Sequence, residues 1–323
     1  MYPLMREAIG ICCIPTGKEY LKQGCLLVKD TVSSEEGHQG GINAIAVDNT
    51  YIYSVGDDGT LIIWDKASLA KKQTIPISNV SLLSLALGPH SICIGGSYDK
   101  SVITILDKFD LSESAVLGEH SSSIFDLRVS DDILLSGSAD DEIILWSTED
   151  WSKRDSVAVG QHIVQSVEMD ADHVYVGGIG DFVGIYRLRD LELITKLVGH
   201  EADVFSLAVD DQFIYSGSGE VWWGGPGSPR PSTFESAIRV WDKKNWECIA
   251  VLEGHSDNVN DISVDERSVY SVSDDGTLRQ YHKSDWLEGE VIDLKARALN
   301  AITSDKGNLF IGGTSGRVVR ISK

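Results

Sequence analysis

One unit of this chain is written seven times. From Gly254 to Tyr281 the sequence reads GHSDNVNDISVDERSVYSVSDDGTLRQY, in which Ser271 follows His255 by sixteen positions, Asp275 follows Ser271 by four, and Tyr281 closes the pattern ten after the serine. Sliding the serine mark along the chain lands on Ser54, Gly95, Ser136, Gly177, Ser216, Ser271 and Gly312, at steps of 41, 41, 41, 39, 55 and 41. Within the unit, the short β-branched runs VNDISV, SVYSV and TLRQY are separated by turn formers at Asp265, Asp274, Asp275 and Gly276. That spacing predicts a meander of hairpins. A small β-unit copied at a fixed period cannot bury its own apolar face, so the copies must stack on one another.

The marks at Gly37, His38, Ser54, Asp58, Trp64 and Asp65 return at Gly199, His200, Ser216, Trp241 and Asp242. They return again at His120, Ser136, Asp140 and Trp146, and at His255, Ser271 and Asp275. On these residues, in register over positions 25–323, the chain resembles the WD40 (G-protein beta-like) family. The resemblance implies an all-β fold, a seven-bladed WD40 β-propeller, and one closed ring in place of the two domains that 323 residues would otherwise suggest. The C-terminal end supplies only LNAITS, NLFIGG and RVVRIS, whereas residues 25–33, CLLVKDTVS, alternate like a strand. The N-terminal strand is therefore expected to complete the last blade and leave no open edge. Residues 1–24 precede the first repeat and do not fit the period.

In the family, the His, Ser, Asp and Trp of a blade form a buried hydrogen-bonded chain, and each has a donor or acceptor to satisfy once covered. A His beside Asp and Ser also suggests a hydrolase triad. The set recurs along the chain, however, which scaffolding explains and one active site does not. No catalytic residue is assigned. The copies are unequal: the second carries Ser78, Gly95 and Leu106 at the His, Ser and Trp positions, and the fourth carries Gly177 and Tyr186. These two blades are expected to be held mainly by apolar packing and to be softer than their neighbours.

Five cysteines, Cys12, Cys13, Cys25, Cys93 and Cys248, form an odd count at irregular spacings, as expected of reduced thiols. The N-terminal stretch MYPLMREAIGICC lacks the basic start and long apolar core of a secretory signal, and no apolar run is long enough to span a membrane. The expected location is cytoplasmic, without membrane contact. A net charge of −21 excludes a phosphate backbone as the main partner and permits basic partners. No Cys or His pair has zinc spacing and no phosphate-binding loop is present, so neither metal nor cofactor is expected.

Function in a propeller comes from sites carried on the scaffold. The position five after each repeat His should ring the channel mouth: Asn43, Phe125, Phe205 and Asn260 directly, with Leu83, Gln165 and Asn300 by register. In the family the corresponding ring commonly receives a peptide side chain. An Arg or Lys could stack on Phe125 or Phe205, with Asp126, Asp203, Asp257 and Asp261 supplying the field. The second candidate is the insertion at 219–236 in the fifth blade, about fifteen residues longer than its counterparts, which carries Trp222 and Trp223. Adjacent tryptophans in a Gly- and Pro-rich loop are binding anchors. By strand order this loop projects on the face of the GH turns. The chain is thus expected to be a non-catalytic scaffold presenting its channel face to a peptide or partner protein. The alternative is a regulatory or enzymatic propeller with a small ligand in the channel, which would require titratable groups converging there.

Overall fold

The alternation of apolar and polar residues in each repeat builds four antiparallel strands, and the computed structural model, which describes residues 31–97, 101–220 and 235–323, arranges them as seven four-stranded sheets. The first blade runs from its inner strand Ile42–Val47 through Tyr51–Gly56 and Thr60–Asp65 to the outer strand Lys71–Pro76. The other inner strands are Leu82–Leu87, Ile124–Val129, Val164–Met169, Asp203–Val209, Val259–Val264 and Leu299–Ser304. In the last blade, Leu299–Ser304, Asn308–Gly313 and Val319–Ser322 are joined by Thr31–Ser33 as outer strand. Thr31 pairs with Ile321 and Ser33 with Val319, and Ser34 extends the seam by bonding both ways with the Val318 backbone. The ring is therefore closed by the N-terminal strand, of which residues 25–30 lie outside the described residues, as do residues 1–24 and Cys12, Cys13 and Cys25.

The core lies between the sheets. Seven apolar clusters each join two neighbouring blades, from Tyr53, Val55, Leu82 and Leu85 between the first and second to Ile42, Trp64, Ala301 and Phe310 between the seventh and first. Blades buried on both faces explain the near-continuous apolar runs of the middle strands.

Four blades carry a polar chain on the face of the GH turns. In the first, His38 Nδ1 lies 2.8 Å from Asp58, Nε2 lies 2.8 Å from Ser54 Oγ, and Trp64 Nε1 donates to Ser54 Oγ at 2.8 Å. The third repeats this with His120 to Asp140 at 3.0 Å, His120 to Ser136 at 2.8 Å and Trp146 to Ser136 at 2.9 Å. A neutral imidazole protonated at Nδ1 lets every donor point one way, from Trp to Ser to His to carboxylate. The sixth blade departs from the pattern: His255 bonds Asp275 and Ser271, but the Tyr281 hydroxyl donates to the Glu253 carbonyl. In the fifth, His200 and Trp241 bond Ser216, and the acid is Glu235, beyond the insertion, at 3.0 Å from His200 Nδ1.

The second and fourth blades compensate for their missing serines. Gly95 leaves room for Ser84 Oγ to reach the Ile124 carbonyl of the third blade at 2.9 Å, and a Cβ at Gly95 would come within 2.1 Å of Ser84 Oγ. In the fourth, buried Gln161 takes the His position and donates to the Phe182 carbonyl, while the Tyr186 hydroxyl donates to the Val159 carbonyl. Side-chain hydrogen bonds thus accompany the apolar packing expected there.

A second repeated set lies on the opposite face, unforeseen from the sequence. At the turn after the inner strand an Asp accepts its own turn's N–H groups and a Lys from the next blade: Asp48 with Lys108, Asp170 with Lys243, Asp210 with Lys283, Asp265 with Lys323, and Asp305 with Lys66. Four of these aspartates also accept from a Tyr hydroxyl five residues on: Tyr53, Tyr175, Tyr215 and Tyr270. The signal was legible as Asp-x4-Tyr with a Lys two after the Trp position.

Burial alone would raise the Asp140 carboxyl, but His120 and the N–H groups of Ser121 and Glu142 hold it down to about 2. Its contribution to stability is therefore present above the unfolded value of 3.8 and is lost as pH falls toward 2. Asp140→Ala strands the His120 N–H and is expected to cost about 1–3 kcal/mol at neutral pH. The gap to wild type should narrow as pH drops below about 4. Urea denaturation across that range is the check, and an unchanged midpoint at neutral pH contradicts the scaffold role.

Candidate functional site: the channel

Each inner strand carries a β-bulge, and the seven extra residues are Asn43, Leu83, Phe125, Gln165, Phe205, Asn260 and Asn300. The pairing skips from Ile42 to Ala44 opposite Gly56 and Val55, from Ile124 to Asp126 opposite Ser138 and Gly137, and likewise in the other five blades. A bulge re-aims the side chain it carries. All seven therefore line one central channel of about 350 Å³. Each of these residues is half-buried.

The ring is less free than a list of amides suggests. Asn43 Nδ2 donates to Asp57 at 2.9 Å and to the Leu82 carbonyl of the next blade at 3.0 Å. Asn260 Nδ2 donates to Asp274 at 2.7 Å and to the Leu299 carbonyl at 2.9 Å, and Asn300 Nδ2 reaches the Ile42 carbonyl at 2.8 Å. The carbonyl that the bulge removes from its own ladder is thus met by the preceding blade, as a buried backbone group requires. Asn43 and Asn260 thus have both amide N–H groups engaged and retain acceptor capacity at Oδ1, while Asn300 engages one N–H in the bond to Ile42. Phe125, Phe205 and Leu83 add apolar surface between them.

One residue deeper, Asp126 accepts from Ser166 Oγ at 3.0 Å and Val167 N–H at 2.9 Å, tying the third blade to the fourth. Asp261 likewise accepts from Ile302 N–H at 2.8 Å, tying the sixth to the seventh. Arg128, two further on, bonds both Asp126 and Glu168, the latter at 2.6 Å. Arg128 and Glu168 were not singled out from the sequence, although both fall three after a bulge and could have been found by that register. Asp203, by contrast, accepts from Gly180 N–H at the turns. Burial would lower the Arg128 guanidinium, but Asp126, Glu168 and Asp261 raise it and keep it charged. Burial raises Glu168 despite Arg128, and pushes Asp261 up to about 7 against its N–H donors and Arg128. The bore therefore sets three carboxyl groups, of which Asp261 keeps its proton up to about 7, against one guanidinium.

The His, Ser and acid sets are placed elsewhere. The His38, His120, His200 and His255 side chains are 0–1% exposed. They are within blades, out of reach of a substrate. Trp222 and Trp223 lie outside the described residues. The start of the insertion lies beside the ring: Glu220 N–H donates to Asn258 Oδ1 at 2.9 Å, and Gly219 sits beside the Phe205 ring.

The comparisons with known proteins agree with this architecture. Residues 29–65, 112–147 and 246–282 match the family model for the WD domain, G-beta repeat. Residues 148–245, which include the first three strands of the fifth blade, its insertion and Glu235, are not among the matched residues. Among curated proteins, the chain is similar to mitochondrial division protein 1 of Vanderwaltozyma polyspora, 24% identical over 246 residues. That match covers 76% of this chain and 30% of the relative, so the chain spans less than a third of the relative's length. Among solved structures it is similar to the WD40 beta propeller domain of Doa1, with TM-score 0.76, 19% identity, and coverage of 91% of this chain and 97% of that one. It is also similar to the computationally designed Ika8 protein, with TM-score 0.70, 17% identity, and coverage of 90% and 98%. Both likenesses are likenesses of fold.

Because the folded Asp261 carboxyl holds its proton up to about 7 while the unfolded chain releases it near 3.8, its contribution to stability is full below the lower value. It is lost as pH rises through the upper one. Asp261→Asn cannot ionise, so its denaturation midpoint should fall less than that of wild type between about pH 5 and pH 8. Parallel pH profiles for the two proteins contradict the assignment.

Proposed function

We propose that this chain, a WD40 β-propeller with WD40 repeats in three places, acts in the cytoplasm as a non-catalytic protein-interaction scaffold that takes a basic peptide segment at its channel mouth. The observation that carries the reading is the composition of the bulge ring and the bore beneath it. Two phenylalanines stand among three asparagines, two of which have both amide N–H groups engaged by the scaffold, above the carboxyl groups of Asp126, Glu168 and Asp261 and one guanidinium. Such a mouth offers ring faces and acceptors, the complement of an Arg or Lys side chain, which has donors only. The overall charge of −21 adds long-range attraction for a cationic partner.

An aromatic anchor that becomes buried on binding contributes about 1–2 kcal/mol or more, whereas rim carboxylates act mainly on association rate and salt dependence. Screening a random peptide library against wild type should therefore select arginine- or lysine-containing peptides. The double variant Phe125→Ala with Phe205→Ala should bind the best of them at least about tenfold more weakly. Selection of acidic peptides, or unchanged affinity in the double variant, rules out this surface.

A further inference from the structure

Five of the seven blade interfaces carry the Asp–Lys clamp on the face opposite the GH turns, and two do not. Identical backbone bonds identify the corresponding positions. Ser130 N–H bonds the Ile133 carbonyl as Asp48 N–H bonds that of Tyr51, and Leu188 N–H bonds the Asp172 carbonyl as Lys66 N–H bonds that of Thr50. Between blades three and four the clamp is thus replaced by Ser130 and Leu188. Between blades two and three it is replaced by Gly88 and Thr148. At the interface of blades three and four the charged link has moved inward, to Asp126, Arg128 and Glu168 in the channel. The corresponding positions of the other blades hold Ala46, Ala86, Ala208, Ser263 and Thr303. With the ion pair displaced, the outer position is left open. Two adjoining cavities of about 390 and 620 Å³ occupy it, sharing Ile133, Ala171 and Leu188.

The walls of this cleft specify an occupant. Its floor is aliphatic, from Ile133, Met169, Leu188 and Ile194, and Ile194 on the outer strand remains 40% exposed. At its rim Asp131 and Asp172 are exposed and make no ion pair among the described residues. Three arginines also line the cleft and each is paired: Arg128 with Asp126 and Glu168, Arg187 with Asp190 and Glu192, and Arg189 with Asp190, while Arg154 beside it pairs with Asp132. We propose that the cleft between blades three and four is a second docking site, distinct from the channel mouth, for an extended peptide segment with a leucine-sized side chain flanked by lysine or arginine. The apolar side chain fills the place left by the missing clamp, and the flanking cations meet Asp131 and Asp172.

The test uses the full chain with isotope-labelled Ile and Leu methyl groups and two probes. One is an eight-residue peptide with a central leucine between lysines, and the other has aspartates in place of the lysines. The lysine peptide should shift the Ile133, Leu188 and Ile194 methyl resonances saturably, and the aspartate peptide should bind at least tenfold more weakly. Ser130→Asp with Leu188→Lys rebuilds the clamp present at five other interfaces. It should keep or raise the melting temperature while weakening the lysine peptide at least tenfold. Asp131→Lys with Asp172→Lys, confined to exposed positions, should reverse the preference between the two peptides. Phe125→Ala with Phe205→Ala should leave cleft binding unchanged, which separates failure here from failure of the channel-mouth reading. The proposal is overturned if the lysine peptide shifts none of these methyls or the aspartate peptide binds equally well. It is also overturned if clamp rebuilding leaves affinity intact, or if the shifts follow protein concentration without peptide, as association with a second copy would produce.

Discussion

The structure depends on the β-bulge repeated in every inner strand. An extra residue in a ladder leaves a carbonyl or N–H without a partner in its own sheet, and a buried peptide group left in that state costs on the order of 1–3 kcal/mol. Here the neighbouring blade supplies the partner. Asn43, Ser84, Ser206, Asn260 and Asn300 donate to carbonyls, while Asp126, Ser166 and Asp261 accept from N–H groups. A blade is therefore incomplete by itself in hydrogen bonds as well as in apolar contact. The same bulge turns one side chain per blade toward the channel, so the feature that locks the ring also builds its mouth.

Much of this was legible in the sequence because the repeat samples one geometry seven times. The spacing of His38, Ser54 and Trp64 fixed the strand order. Counting five past each repeat His reached Phe125 and Phe205 without any structure. What was not legible follows from features that break the count or emerge only between blades. Glu235 takes the place of an Asp, thirty-five positions after His200, because the insertion intervenes. Gln161 in the His position of the fourth blade donates to the backbone of its own blade, a role no repeat position announces. Nor could spacing reveal that each of the three asparagine amides donates to a carbonyl of the next blade, since that bond joins residues about forty apart or, for Asn300 and Ile42, the two ends of the ring.

The interfaces differ in where they keep their charge. Most hold a carboxylate and a lysine at the outer turn, where each carboxylate is also satisfied by its own turn's N–H groups and the pair is partly shielded from solvent. Between blades three and four, Asp126, Arg128 and Glu168 hold the link inside the bore instead. Moving the pair inward does two things at once: it makes the channel lining polar and charged, and it leaves aliphatic surface exposed at the outer turn. An Arg bonded to two carboxylates in a confined space is satisfied, whereas removing one partner would leave an uncompensated charge. The cleft lies on the face opposite the channel mouth, to which all seven blades contribute.

The central claim is that binding occurs on the inner strands and their bulges, on the face of the GH turns. Hydrogen exchange read by mass spectrometry, with and without a saturating basic peptide selected on the wild-type protein, tests it most directly. The account predicts slower exchange in segments covering residues 124–129 and 203–209, with little change in the outer strands Lys153–Ala158 and Cys248–Leu252. Protection confined to those outer strands, with the inner strands unaffected, would contradict it.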